Sequence, residues 1–303
     1  MPPILAFPAL AGMSYPRLTG LVQTVSGPAD IAALTEKQRA GVKVLMTSAS
    51  RGCSAEMIAL LPGLGLVMSQ GAGQDKIDGA ALAARGIRLR LVAETVTEDV
   101  ADLAMALTQS LCRNLPAADR FARSGAWQTA RFDLGDSLVG MTMGIAGLSG
   151  RIGQAISARA RVSGMQIAGL QRPSNHGLGA LHDGWVALAR ACDVLVLAVP
   201  GNDDLTRVID ADVLAALGPK GRLVNVGRGT LVDTEALTLA LETHTIAGAA
   251  LDVLETEPQV PPRLAALSNV IFTPHIGAQT WGQRARAALV AEAEVLAFLG
   301  HPN

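Results

Sequence analysis

Three polar residues, Arg228, Glu257 and His275, each follow a run of residues typical of a β-strand. A guanidinium can bind a carboxylate through two parallel hydrogen bonds, and an imidazole can donate a proton near neutral pH. A carboxylate beside the imidazole would stabilise its protonated form. Because the three groups could together hold, polarise and protonate a 2-keto acid, the sequence predicts that they form one catalytic site.

Each of these residues also has a plainer interpretation. Arg228 alone could form a surface salt bridge, and His275, which follows Thr-Pro, could belong to an ordinary turn. Glu257 could be a solvated loop acid, since a second acid, Glu255, is close by in the same segment. The place of Arg228 at the carboxyl end of a predicted strand favours the functional interpretation, because ligands bind at that edge of open parallel sheets.

Short apolar runs alternate with helical patterns along the chain, and these elements must position the site. Strands are predicted at residues 42–46, 65–69, 87–92, 142–146, 166–170, 194–199, 222–226, 246–252 and 270–273. Helices are predicted at residues 96–114, 151–159, 211–217, 234–242 and 285–299. We therefore expect an α/β protein with two doubly wound parallel-sheet, Rossmann-like domains. Residues 1–95 plus 279–303 would bind substrate, and residues 96–278, inserted between them, would bind a dinucleotide.

A glycine-rich turn with Gly147, Gly150 and Gly153 joins the predicted strand at 142–146 to a predicted helix. Glycines at such a turn let the backbone approach a pyrophosphate, whose charge is stabilised by the helix N-terminus. The spacing is one residue longer than the usual Gly-x-Gly-x-x-Gly, so we interpret Ser149 as an inserted residue. The sequence thus predicts a dinucleotide site with a wider turn.

The residues after the next predicted strand decide which dinucleotide is expected. An acidic residue about 20 positions beyond the glycine turn would bind the ribose 2′-hydroxyl, and it would repel a 2′-phosphate. The chain has Gln171, Arg172 and Ser174 in that region instead. A cation and a hydroxyl favour a 2′-phosphate, so NADP(H) is the expected cofactor. NAD(H) stays possible if Arg172 is only an exposed loop residue.

Motifs in the order and spacing of a known family extend over nearly the whole chain. They lie at residues 71–78, 99–104, 123–127, 147–153, 199–206, 225–229, 251–258 and 273–277. Through them the chain resembles the D-isomer-specific 2-hydroxyacid dehydrogenases. It is most similar to their NADPH-preferring glyoxylate/hydroxypyruvate reductases, a group that includes the plant-type hydroxyphenylpyruvate reductases. The family spacing also favours Glu257 over Glu255.

The resemblance implies an enzyme that reduces a small 2-keto acid of the glyoxylate or hydroxypyruvate class to the D-2-hydroxy acid. Arg228 would bind the substrate's carboxylate and keto oxygen, His275 would be the general acid, and Glu257 would keep His275 protonated. Asp252 would hold the nicotinamide carboxamide. The other implied cofactor-binding residues are Gly147, Ser149, Gly150, Arg151, Ile152, Gln171, Arg172, Ser174, Val199, Pro200, Thr206, Val226 and Gly277.

On the substrate side, the resemblance implies that the amides of Ala72 and Gly73 bind the carboxylate. The loop at 47–52, with Ser48 and Arg51, would line the side-chain pocket. Two alternatives remain open: the same chemistry on a bulkier aryl or branched 2-keto acid, and a nucleotide-sensing, corepressor-like protein with little turnover. The scarcity of aromatic residues near 47–52 favours small substrates, and the complete catalytic set argues against a sensor.

The composition restricts the partners that are expected. The net charge is −1, so nothing favours nucleic acid or an anionic membrane surface. No apolar run reaches the roughly 18 residues of a membrane span, and the N-terminus lacks a signal-peptide pattern. The widely spaced cysteines form no metal or redox motif, which predicts a cytoplasmic protein without a metal. A small 2-keto acid is the expected partner, and the resemblance implies a homodimer.

Overall fold

The computed structural model describes residues 2–201 and 203–301. Its strands are β1 (Ile4–Ala6), β2 (Val22–Thr24), β3 (Val44–Ser48), β4 (Leu66–Gln70), β5 (Arg88–Leu91), β6 (Thr142–Ala146), β7 (Gln166–Leu170), β8 (Ala180–His182), β9 (Val194–Leu197), β10 (Arg222–Asn225), β11 (Gly248–Leu251) and β12 (Val270–Phe272). Its helices are α1 (Pro28–Ala32), α2 (Glu36–Gly41), α3 (Ala55–Leu60), α4 (Gly79–Ala84), α5 (Thr97–Arg113), α6 (Leu115–Arg123), α7 (Arg151–Val162), α8 (Gly184–Arg190), α9 (Ala211–Leu217), α10 (Thr234–Glu242), α11 (Pro262–Ala265) and α12 (Trp281–Phe298). The chain divides into two compact units, Met1–Val96 with Ala278–Asn303, and Thr97–Gly277.

The first unit is built on a five-stranded sheet of order β2-β1-β3-β4-β5, in which every pairing is parallel. β1, β3 and β4 are buried along their whole length, as expected for strands covered on both faces. α12, from the C-terminal segment, packs on one face through Ala291 and Val295. The other face is covered by α1 and α3 through Ile31 and Ile58. The carboxyl ends of these strands are the edge at which a ligand is expected.

The second unit is built on a seven-stranded parallel sheet of order β12-β11-β10-β9-β6-β7-β8. The chain order changes direction between β9 and β6, and the crevice at such a switch point is where open α/β sheets bind ligands. Ala146 and Leu197, the last residues of β6 and β9, are paired in register. The two loops that leave these strands therefore begin side by side.

The fold class predicted from the sequence is confirmed, since both sheets are wholly parallel and carry helices between their strands. The predicted strands at 142–146 and 166–170 have the observed bounds, whereas β3 runs Val44–Ser48 instead of 42–46. β1, β2 and β8, of three residues each, have no counterpart among the predicted strands. In the described ranges no helix is long and apolar enough to cross a membrane.

Candidate active site

The turn after β10 fixes the backbone of Arg228. Asn225, the last residue of β10, is fully buried. Its side-chain amide donates to the Arg228 carbonyl oxygen (2.8 Å), and its Oδ1 accepts the Gly227 amide (3.0 Å). The half-buried Arg228 also donates from Nη1 to the Gly227 carbonyl oxygen (2.8 Å). Asn225 is absent from the predicted site, although a polar residue that closes an apolar strand is a visible signal.

Gly229 brings the loop after β10 against the loop after β11. A β-carbon added at Gly229 would lie 1.9 Å from the carbonyl carbon of Leu254 and 2.3 Å from the nitrogen of Glu255. No side chain fits in that space, so glycine is required by the close approach of the two backbones. The segment that carries Arg228 therefore packs directly on the segment that carries Glu257.

The side chains of His275 and Glu257 are paired. His275 Nδ1 lies 2.9 Å from Glu257 Oε2, and Glu257 Oε1 accepts the Leu254 amide at 2.9 Å. The neighbouring acid, Glu255, instead forms an ion pair with Arg207 (2.9 Å). Of the two acids in this segment, Glu257 is therefore the one in contact with the imidazole.

Asp252 organises the turn that carries His275. His275 has a left-handed backbone (φ +53°), which is uncommon for a residue other than glycine. The buried Asp252 carboxylate accepts hydrogen bonds from the Thr273 hydroxyl (2.6 Å) and from the amides of Ile276 (2.8 Å) and Gly277 (2.9 Å). A carboxylate offers about four acceptor positions, so three bonds leave one position for a further donor.

The glycine turn lies against the end of the neighbouring strand. Gly147 has φ +90°, and a β-carbon there would lie 2.8 Å from a carbonyl oxygen just beyond β9. A β-carbon at Gly153 would lie 2.0 Å from the Gly147 carbonyl oxygen, so α7 starts directly on the turn. Gly150 is the N-cap and supplies no side-chain cap, and the first-turn amides of Arg151 and Ile152 have no intrahelical partner. These donors fit the pyrophosphate of a dinucleotide.

Ser149, the inserted residue, is hydrogen-bonded to the short helix Pro173–Asn175 that follows β7. Its amide donates to Asn175 Oδ1 (3.1 Å) and its hydroxyl donates to Ser174 Oγ (3.0 Å). Its carbonyl oxygen accepts a hydrogen bond from Gln154 Nε2 (2.8 Å). Asn175 is only 5% exposed and was not a predicted site residue. The longer turn is thus anchored on both sides.

The end of β7 is cationic. Gln171, Arg172 and Ser174 are all exposed there. The Arg172 guanidinium has no hydrogen bond or ion pair within residues 2–201 and 203–301, and residues 171–176 include no Asp or Glu. The other expected cofactor residues also follow strands of this sheet. They are Val199 and Pro200 after β9, Thr206 after the short helix Asp203–Leu205, Val226 after β10, and Gly277 after β12.

In the first unit, the expected substrate residues lie at or just after the carboxyl ends of β3 and β4. Ser48 is the last residue of β3 and is 4% exposed, so it belongs to the strand and not to a loop at 47–52. Arg51 is exposed, and its guanidinium lies over the ring of Phe7 at 5.4 Å from the centroid. The amides of Ala72 and Gly73 have no hydrogen-bond acceptor in the part of the chain that the structure describes. The same part contains no group of three or more His, Cys, Asp or Glu that could hold a metal.

The strand order and the glycine turn of the second unit are those of a Rossmann, dinucleotide-binding domain. A family model described as "D-isomer specific 2-hydroxyacid dehydrogenase, NAD binding domain" matches residues 105–277. The chain is 40% identical over 250 residues to glyoxylate/hydroxypyruvate reductase A HPR2 of Arabidopsis thaliana, a match that covers 82% of this chain and 80% of that protein. It is 38% identical to hydroxyphenylpyruvate reductase of Plectranthus scutellarioides, with 80% of this chain and 78% of that protein covered.

A solved structure gives the same assignment. The NADPH-dependent glyoxylate/hydroxypyruvate reductase of Sinorhizobium meliloti, in complex with NADP and malonate, superimposes with a TM-score of 0.86 at 36% identity, over 99% of this chain and 94% of that chain. The chain belongs to the D-isomer-specific 2-hydroxyacid dehydrogenase family. It is therefore an NAD(P)-dependent oxidoreductase that acts on CH–OH groups.

Proposed function

We propose that the protein reduces a small 2-keto acid of the glyoxylate or hydroxypyruvate class to the D-2-hydroxy acid with NADPH. The observation that carries the proposal is the contact of His275 Nδ1 with Glu257, in a segment that packs on the Arg228 turn. The reductase names of the similar proteins from Arabidopsis thaliana and Sinorhizobium meliloti support this substrate class.

In the proposed mechanism, Arg228 binds the substrate carboxylate and polarises the keto oxygen. Since Glu257 takes Nδ1 of His275, we assign proton donation to Nε2, which protonates the oxygen as C2 is reduced. Glu257 balances the imidazolium charge before the transfer. When bound, the reduced nicotinamide supplies the hydride. The remaining acceptor position of Asp252 would take the nicotinamide carboxamide.

The proposal also assigns roles in the first unit. The amides of Ala72 and Gly73, which have no acceptor among the described residues, would bind the substrate carboxylate, since two adjacent backbone donors can hold an anion. Arg51 and the buried Ser48 would set the chemistry of the side-chain pocket. The preference for NADPH is supported by the guanidinium of Arg172, which has no partner in the described part of the chain, and by the lack of an acid in residues 171–176.

Steady-state kinetics with the purified protein would test this function. With NADPH, we expect turnover of glyoxylate and hydroxypyruvate, and a KM for NADH well above that for NADPH. Tight NADPH binding without turnover of any 2-keto acid would contradict the reductase assignment. A lower KM for NADH would contradict only the cofactor preference.

A bulkier aryl 2-keto acid is the second candidate substrate, because the chain is also similar to a hydroxyphenylpyruvate reductase. The two candidates differ in kcat/KM. A higher value for hydroxyphenylpyruvate than for hydroxypyruvate would favour the aryl substrate, and the reverse order would favour the small one.

We also propose a cytoplasmic homodimer. Trp127, Leu134, Val139 and Val162, all in the second unit, are 71% to 101% exposed, and a partner subunit could cover apolar side chains of this kind. The cysteines are buried and free of disulfides, as in a reducing compartment. Light scattering should give twice the 31.2 kDa chain mass, and Leu134→Asp should lower it. A monomeric wild type would contradict the dimer.

A further inference from the structure

The inserted Ser149 places a hydroxyl beside the loop that is expected to bind the adenosine ribose. We propose that Ser174, supported by the hydrogen bond it accepts from the Ser149 hydroxyl, binds the 2′-phosphate of NADP(H), so that the extra residue of the glycine turn is a positioning residue for cofactor specificity. This inference rests on the NADPH preference proposed above, and it assigns that preference to a residue pair that joins two loops.

The backbone of Ser149 is held in place before any ligand binds. Asn175, nine-tenths or more buried, accepts the Ser149 amide through Oδ1 (3.1 Å) and donates from Nδ2 to the Leu170 carbonyl oxygen (2.9 Å) at the end of β7. Gln154, on α7, donates to the Ser149 carbonyl oxygen (2.8 Å). Both backbone groups of Ser149 are therefore occupied, and only its hydroxyl remains to act on a neighbour.

The hydroxyl of Ser149 is the first of two linked hydrogen-bond donors. It donates to Ser174 Oγ at 3.0 Å. Within the described ranges, the Ser174 hydroxyl donates to no acceptor. A hydroxyl that accepts one hydrogen bond becomes a better donor for the next. The hydroxyl of Ser174 is therefore a strengthened donor that has no acceptor among the described residues.

The surroundings of this hydroxyl pair favour an anion. Arg172, two residues before Ser174, has a guanidinium without a hydrogen bond or ion pair to any residue in 2–201 or 203–301. No acid lies between residues 171 and 176. A phosphate accepts hydrogen bonds from hydroxyls and from guanidinium, whereas the 2′-hydroxyl of NAD(H) offers no charge to this group. The pair thus discriminates between the two cofactors.

The test is calorimetric and requires no turnover. Dissociation constants for NADPH, NADH, adenosine 2′,5′-bisphosphate and AMP are measured with the wild type and with Ser149→Ala. We expect affinity for the two ligands with a 2′-phosphate to fall about 3- to 10-fold, because the phosphate keeps Ser174 as a donor but Ser174 loses the hydrogen bond that strengthens it. For NADH and AMP the change should stay below about twofold. Ser163→Ala, at the other end of α7, is the control and should change none of these constants.

Two further variants distinguish the effect of the hydroxyls from the effect of the conformation of the turn. Because Ser149 acts through Ser174, Ser174→Ala and the double variant should lose affinity for adenosine 2′,5′-bisphosphate in a non-additive way. Asn175→Ala removes the anchor of the turn and should weaken NADPH and NADH alike. Equal losses for AMP and for the bisphosphate in Ser149→Ala, or no loss for either, would overturn the inference. Tighter wild-type binding of NADH than of NADPH would overturn the proposed cofactor preference itself.

Discussion

The amide of His275 donates to the carbonyl oxygen of Asp252 across 2.9 Å, so the turn after β12 is fastened to the end of β11. The Asp252 carboxylate accepts three more donors from the same turn. The left-handed backbone of His275 is therefore held by a residue that lies far earlier in the sequence, at the end of β11. Asp252 and Glu257 therefore both orient His275, the proposed general acid.

Asp252→Asn tests whether the Asp252 carboxylate holds the turn that carries His275. An asparagine offers one oxygen and one NH2 group, so at least one of the three donors would face another donor. We expect kcat at saturating cofactor to fall about 10- to 100-fold, together with a lower melting temperature. Asp233→Asn is the matched control, because asparagine also caps helices well and α10 should keep its N-cap. An unchanged kcat in Asp252→Asn would show that the turn does not depend on the carboxylate.

Glu257→Gln tests the charge beside the imidazole. Glutamine can still accept the Leu254 amide, but it cannot balance an imidazolium. We expect kcat/KM for glyoxylate to fall about 10- to 100-fold, while the dissociation constant of the cofactor is retained. Glu255→Gln, which loses an ion pair with the exposed Arg207, should keep its activity. If the two variants lose activity equally, the assignment of Glu257 fails.

Arg228→Lys tests the geometry of substrate binding. An ammonium keeps the charge but cannot form two parallel hydrogen bonds to a carboxylate or to a carboxylate and a keto oxygen. We expect kcat/KM to fall about 100-fold, measured with NADPH and glyoxylate. Arg190→Lys, an exposed position at the end of α8, is the control. Retention of most of the activity in Arg228→Lys would show that charge alone is sufficient.

Gly229→Ala tests the packing of the two site loops. The added carbon would overlap the Leu254 backbone, so the loops must separate. We expect a lower melting temperature and a loss of activity larger than the loss of cofactor affinity. Gly79→Ala adds the same carbon where nothing lies within 4 Å, and it should be neutral in both measurements. A Gly229→Ala protein with wild-type stability would contradict the close approach.

The parallel architecture was predictable because its longer strands contain apolar runs, such as residues 143–146 of β6 and 167–170 of β7, and glycines mark the turn between β6 and α7. The strand-end positions of Arg228 and His275 were predictable for the same reason. The hydrogen bonds that hold these two turns in place were not predictable. Asn225 and Thr273 act through side-chain hydrogen bonds to residues that the fold brings near. Such bonds cannot be predicted from the spacing of residues along the chain. Asn175 was missed because a buried amide in a polar segment resembles an ordinary loop residue.

The first unit is formed by two separate segments of the chain, which affects when it can finish folding during translation. Its sheet is complete once β5 has been made, but the face formed by Val44 and Met68 is covered by Ala291 and Val295 of α12. The second unit is a continuous segment, and domains fold as units while the chain emerges from the ribosome. The nascent second unit can therefore finish folding first, while an apolar face of the earlier-made unit stays uncovered until translation reaches the last helix.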